Sequence, residues 1–128
     1  MIQSRRLRRA AFALYAIALF VATHWPRLVI DSPVTGTDKI IHATAFLIWT
    51  LLLAGAAGPG SQIPLGRLAL ISGAYACFDE GLQAIPALGR TCSWADLGAD
   101  LLGVAIGLGV IAIRRGRGAE PGVLRGEG

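Results

Sequence analysis

Two carboxylic acids, Asp79 and Glu80, stand side by side within the apolar stretch of residues 68–85, and Gln83 follows one helical turn later. A carboxylate moved into hydrocarbon costs about 2.5 to 3.5 kcal/mol on insertion scales, so an intramembrane pair is by default a candidate functional site. Where the dielectric constant is low, two neighbouring carboxyl groups do not ionise equally, which leaves one able to act as an acid and the other as a base. Acid–base chemistry is therefore one role that this pair predicts.

The same pair also fits a structural role. Buried ion pairs and hydrogen bonds can fix the packing of helices, and Lys39, His42 and Arg90 are candidate partners for the two carboxylates. The sequence leaves both interpretations open.

Other polar residues are spaced so that they share helical faces. Residues four apart on a helix lie on one face, about 6 Å from each other. Tyr75 continues the face of Asp79 toward the middle of its helix. The i, i+4 spacing occurs in three pairs: Asp38 and His42, Asp79 and Gln83, and Asp96 and Asp100.

Arg90 and Ser93 precede the last apolar run of the chain. An arginine beside a helix N-terminus suits a phosphate or carboxylate, although it would also fit an interfacial, snorkelling role. Ser93, with Asp96 three residues later, has the pattern of a capping box, which we favour over a nucleophile because no His or Lys stands near it. The candidate anion-binding residues are Arg90, Lys39, Gln83, Ser93 and Asp96.

His42 lies inside the second predicted span, whereas His24 falls at the end of the first one, at the interface. A divalent metal held by His42 and nearby carboxylates is chemically reasonable, but no diagnostic ligand spacing is present. Cys77 and Cys92 form no CxxC motif, and a disulfide between them stays undecided. We therefore predict no metal and no other cofactor.

The composition is that of a membrane protein. The chain has 128 residues, of which 54% are hydrophobic and only 16% charged, and its mean hydropathy is +0.59. This is too apolar for an ordinary soluble domain of this size. The net charge of +4 comes from arginine clusters that flank apolar runs, which indicates topology signals rather than a nucleic-acid partner.

Four apolar runs, at residues 10–25, 40–57, 68–86 and 95–113, are each close to the length needed to cross a bilayer. Only helices and closed barrels satisfy their backbone in lipid, and these runs lack period-2 alternation. We therefore expect an all-α, polytopic protein with four transmembrane helices in a small bundle. Residues 1–9 form a basic N-terminus, 10–113 the membrane domain, and 114–128 a flexible tail. The first run resembles a signal peptide but lacks a small-residue cleavage site, so we take it as an uncleaved span.

Arginines at both ends of the chain predict that both termini are cytoplasmic, in the bacterial inner membrane. The three polar clusters then meet at one depth on the outer side. Gly103 and Gly107, with Ala99 before them, form a small-residue stripe that allows a neighbouring backbone to approach closely. This stripe predicts a central fourth helix, and it would equally serve a homo-oligomer.

Three motifs together resemble the VanZ-like family of small bacterial membrane proteins, which is named for a member associated with resistance to teicoplanin. The motifs are D-K-x-x-H at residues 38–42, D-E-x-x-Q at 79–83 and G-R-x-x-S-x-x-D at 89–96, followed by a glycine-rich helix. Position 92 is Cys where a small or Pro-like residue is expected, and Asp100 stands where Asn is expected.

The resemblance implies a membrane domain with a shared polar site. We expect it to recognise or modify an anionic lipid-linked or cell-wall component, and so to affect glycopeptide susceptibility. In this hypothesis Arg90 and Lys39 hold the anion, Asp79, Glu80 and His42 are the catalytic candidates, and the remaining site residues orient them. The alternative is a non-enzymatic adaptor or packing module. An ion translocator is less favoured, because ionisable groups gather in one half of the membrane.

Overall fold

The computed structural model describes residues 2–25, 35–58, 60–88 and 93–118, and these are helical apart from short connections. The four long helices are α1 (Ile2–His24), α2 (Thr37–Ala56), α3 (Leu65–Gln83) and α4 (Trp94–Gly118), and a single 3-10 turn, Pro86–Leu88, follows α3. The predicted all-α class is confirmed. Helices α1 and α4 extend beyond the predicted spans into their arginine clusters, since arginine is a good helix former and neither extension contains a proline.

Three helices, α1, α2 and α4, are long and apolar enough to cross a membrane. Helix α3 is of similar length, but it carries the three charged residues Arg67, Asp79 and Glu80. Helices α1 and α3 run in one direction, and α2 and α4 run in the other. The helix termini and the turns therefore lie at two opposite ends of the bundle.

We call these the polar end and the basic end. The polar end holds every Asp and Glu that the structure describes: Asp38, Asp79, Glu80, Asp96 and Asp100. The basic end is defined by the described arginines Arg5, Arg6, Arg8, Arg9, Arg67, Arg114, Arg115 and Arg117. Arg9 there donates from Nε to the carbonyl of Ala56, at 3.4 Å, at the C-terminus of α2.

Burial differs from that of a soluble protein. Polar side chains such as Asp79, Asp100 and Ser72 are fully buried, whereas Leu70 and Phe78 are 72% and 54% exposed. Soluble domains bury large apolar residues and rarely bury carboxylates. The small apolar core consists of Leu19, Phe46, Trp49, Ala76 and Val104. The exposed apolar surface therefore suits a hydrocarbon environment, which agrees with the membrane character predicted from composition.

The glycine stripe of α4 packs against the backbone of α2, and this is the most extensive helix pair. A Cβ atom added at Gly103 would lie 2.1 Å from the carbonyl oxygen of Ala43, and one added at Gly107 would lie 2.9 Å from Cβ of Thr50. The predicted close approach of a neighbouring backbone is thus confirmed, and α2 is the neighbour. Because His42 of α2 lies at the same interface, this packing also fixes the position of His42 relative to the polar residues of α4.

Candidate functional site

All four helices contribute side chains to the polar end. Helices α1 and α3 supply their last turns, while α2 and α4 supply their first turns. Polar contacts link neighbouring residues at this end, mostly in pairs of side chains, and one contact is made by the backbone of Ser93. The side chains involved are those of Thr23, His24, Lys39, His42, Asp79, Glu80, Gln83, Asp96 and Asp100.

Asp79 is fully buried, and both of its oxygens are engaged. Thr23 Oγ1 donates to Oδ1 at 2.8 Å, and Gln83 Nε2 donates to Oδ2 at 3.2 Å. The Nδ1 atom of His24 lies 3.7 Å from Oδ1. A carboxylate held by a hydroxyl and an amide is well positioned but has little remaining capacity to react.

Glu80 connects α3 to the start of α4. Its Oε1 accepts a hydrogen bond from the backbone N–H of Ser93. Ser93 Oγ in turn accepts from the backbone N–H of Asp96 at 3.3 Å, so the predicted capping role of Ser93 is confirmed. In a complete capping box, the side chain of Asp96 would accept a hydrogen bond from the backbone N–H of Ser93. Here Glu80, from another helix, accepts that hydrogen bond instead.

His42 and Asp100 form a pair across the α2–α4 interface. His42 Nδ1 lies 2.9 Å from Asp100 Oδ1, and Asp100 is fully buried. A carboxylate on one ring nitrogen fixes the orientation of an imidazole, which is the arrangement found in many acid–base sites.

Lys39 neutralises two carboxylates nearer the surface. Its Nζ is bonded to Asp96 and lies 2.7 Å from Asp38 Oδ2. The Lys39 side chain is 37% exposed and that of Asp38 is 49% exposed, so this pair lies at the rim of the polar end. Because two carboxylates already surround Lys39, little of its positive charge remains for an external anion.

Several buried polar atoms at the polar end have no hydrogen-bond partner among the described residues. They are Tyr75 Oη, Glu80 Oε2, Asp100 Oδ2 and His24 Nε2. Leaving such an atom unpaired costs about 1 to 3 kcal/mol, and more when it carries charge. The site therefore has unused capacity, chiefly carboxylate oxygens, to accept hydrogen bonds from a bound molecule.

The structure brings most of the sequence candidates together. Asp38, Lys39, His42, Asp79, Glu80, Gln83, Ser93, Asp96 and Asp100 all lie at the polar end, and Tyr75 lies one turn below Asp79. Arg90 and Cys92 lie outside the described residues. Cys77 is exposed and has no disulfide partner in the described part of the chain.

Thr23 and His24 were not predicted as site residues. Both stand at the end of the first apolar run, on the side where the polar clusters were expected to gather. Their position at the end of this run is the signal for them in the sequence. Within the described ranges, no three His, Cys, Asp or Glu side chains are grouped so that they could hold a metal ion.

Searches against protein-family models, curated proteins and solved structures found no match to this chain.

Proposed function

We propose that this chain is a VanZ-like protein of the bacterial cytoplasmic membrane, with four transmembrane helices and both termini in the cytoplasm. Its polar end would lie near the outer surface and recognise or modify an anionic lipid-linked or cell-wall component, thereby affecting susceptibility to glycopeptides such as teicoplanin. The observation that carries the proposal is that buried carboxylate oxygens of two helices, on Glu80 and Asp100, have no hydrogen-bond partner among the described residues and lie beside an oriented histidine.

The side chains have distinct roles in this proposal. Glu80 is the better acid–base candidate, because one of its oxygens has no partner in the described part of the chain, whereas both oxygens of Asp79 are engaged. His42, held through Nδ1 by Asp100, would exchange protons at its other ring nitrogen. The carboxylate oxygens that lack partners among the described residues would accept hydrogen bonds from hydroxyl and ammonium groups of a cell-wall component. Arg90 would contact an anionic group of that component, such as a phosphate, more than Lys39 would, because two carboxylates neutralise Lys39.

A transmembrane α3 is supported by its surface. Its 19 residues span about 28 Å, close to the hydrocarbon thickness of a bilayer. Leu70, Ile71 and Phe78 point outward, whereas Asp79 and Glu80 are buried against the other helices. Charges that face the interior of a bundle are the usual form of charge in a membrane span.

Cysteine labelling tests this topology. In a chain with Cys77→Ser and Cys92→Ser, we expect Trp94→Cys to react with a membrane-impermeant maleimide in spheroplasts, since residue 94 is 85% exposed at the polar end. Ser61→Cys, exposed in the turn before α3, should react only after lysis. Equal labelling of both positions in spheroplasts would show that α3 does not cross the membrane.

The function is tested by Glu80→Gln, which keeps the shape of the side chain and an acceptor for the Ser93 N–H. We expect cells producing this variant to show the teicoplanin inhibitory concentration of cells without the protein, because loss of a general acid or base typically costs about 100-fold or more in rate. Arg90→Ala should have the same effect, because it removes the proposed contact with the anion. Protein levels in the membrane should not change. Glu120→Gln makes the same chemical change in the tail and should behave as wild type. An unaltered phenotype for Glu80→Gln and Arg90→Ala would overturn the site assignment.

A second candidate is a non-enzymatic packing module, and the pairing of Lys39 with Asp96 and of His42 with Asp100 favours it. Its signature is loss of folded protein, rather than loss of activity alone, when one member of a pair is replaced.

A further inference from the structure

The basic end contains an open groove of about 530 Å³ that the proposed function does not use. Its polar lining consists of Ser61 and Gln62, from the turn between α2 and α3, and of Arg114 and Arg115, from α4. Ser61, Gln62 and Arg114 are exposed, and Arg115 is half-buried. The groove therefore presents two guanidinium groups, a hydroxyl and an amide at one place.

The electrostatics of this end are one-sided. The described carboxylates all lie at the polar end, at the opposite ends of the helices. None of the described arginines forms an ion pair with a described carboxylate. Arg114 and Arg115 thus carry positive charge that the described part of the chain does not neutralise, and a phosphate accepts hydrogen bonds from guanidinium groups in a matching geometry.

The other wall of the groove is apolar. Leu51 and Ala54 of α2 and Ile111 of α4 line it, within about two helical turns of the ends of helices that are long and apolar enough to span a membrane. A site with cations above and an aliphatic wall below matches an amphiphile better than it matches a free anion. Basic pockets between transmembrane helices at the cytoplasmic side commonly bind anionic lipid headgroups.

We propose that this groove binds the headgroup of an anionic phospholipid. Arg114 and Arg115 contact its phosphate, Ser61 and Gln62 its polar substituent, and Leu51, Ala54 and Ile111 the start of an acyl chain. The site rests on the membrane topology proposed above, but it is separate from the polar end and does not depend on the function proposed for that end.

Native mass spectrometry of the full-length protein, with phosphatidylglycerol or phosphatidylcholine added in detergent, tests the proposal. We expect phosphatidylglycerol to be retained in preference to phosphatidylcholine, and millimolar inorganic phosphate not to displace it. Equal retention of the two lipids, or displacement by phosphate, would overturn a lipid-headgroup site.

Two matched pairs of variants locate the site. Removing two guanidinium charges in Arg114→Gln/Arg115→Gln should weaken phosphatidylglycerol binding about tenfold or more. Arg6→Gln/Arg8→Gln removes the same charge from the same end, outside the groove, and should change binding less than about twofold. An equal loss in both double variants would show diffuse attraction without a site.

Filling the groove provides a test that leaves every arginine in place. Gly55 lines the groove, and a Cβ atom added there meets nothing within 4 Å. Gly55→Leu should therefore fold and weaken binding about fivefold or more by excluding the lipid. Gly66→Leu is the control, because its Cβ also enters open space but residue 66 does not line the groove. Wild-type binding by a folded Gly55→Leu variant would contradict the proposed site.

Discussion

Replacing Gly103 by alanine is expected to destabilise the protein by about 3 kcal/mol or more, which is the upper part of the range for overpacking. The added Cβ would lie 2.1 Å from the carbonyl oxygen of Ala43 and 3.0 Å from the amide nitrogen of Leu47. Both atoms belong to the backbone of α2, so no side-chain rotation can relieve the contact. Helices α2 and α4 would have to separate along their largest interface.

The measurement is unfolding of the detergent-solubilised protein in SDS, followed by circular dichroism. Gly109→Ala is the matched control, because it lies on the same helix and its Cβ meets nothing within 4 Å. It should be neutral or stabilising by up to about 1 kcal/mol, since alanine is the better helix former. Equal stability of the Gly103→Ala and Gly109→Ala variants would mean that the α2–α4 contact is not as close as described.

Replacing His42 alone by leucine is expected to cost about 3 kcal/mol, because it leaves the buried carboxylate of Asp100 without its partner. Replacing both residues, in His42→Leu/Asp100→Ala, removes the charge and keeps a similar combined side-chain volume. This double variant should recover most of the lost stability, since apolar replacement of a buried pair is often nearly neutral.

A double-mutant cycle on the same unfolding measurement gives the coupling between the two residues. We expect a coupling of about 2 kcal/mol or more. Additive losses in the double variant would show that His42 and Asp100 do not stabilise each other, and would contradict the pair as described.

The sequence predicted the four helices because each apolar run is long enough to form one and is bounded by Gly, Pro or charged residues. The ends were less well predicted. Hydropathy marks where an apolar run stops, whereas α1 and α4 continue as helices through their arginines. The spacing of Gly103 and Gly107 also predicted a close helix contact, since it places both residues on one face.

The pairing within the polar end could not be predicted from the sequence. The i, i+4 spacing shows which residues share a face, but not which helix that face meets. Nothing in the sequence therefore links Asp79 to Thr23, which lies on a helix two elements earlier and reaches it only because α1 and α3 are neighbours. The contact of Glu80 with the Ser93 N–H likewise depends on the connection between α3 and α4.

The central claim is that the polar end is a functional site and does more than hold the helices together. The most direct measurement is the teicoplanin inhibitory concentration of cells that produce the His42→Leu/Asp100→Ala variant, at membrane levels matched to wild type. The proposal predicts a folded protein that has lost its effect on susceptibility. A folded double variant that retains the full wild-type effect would contradict it and assign the polar network to packing alone.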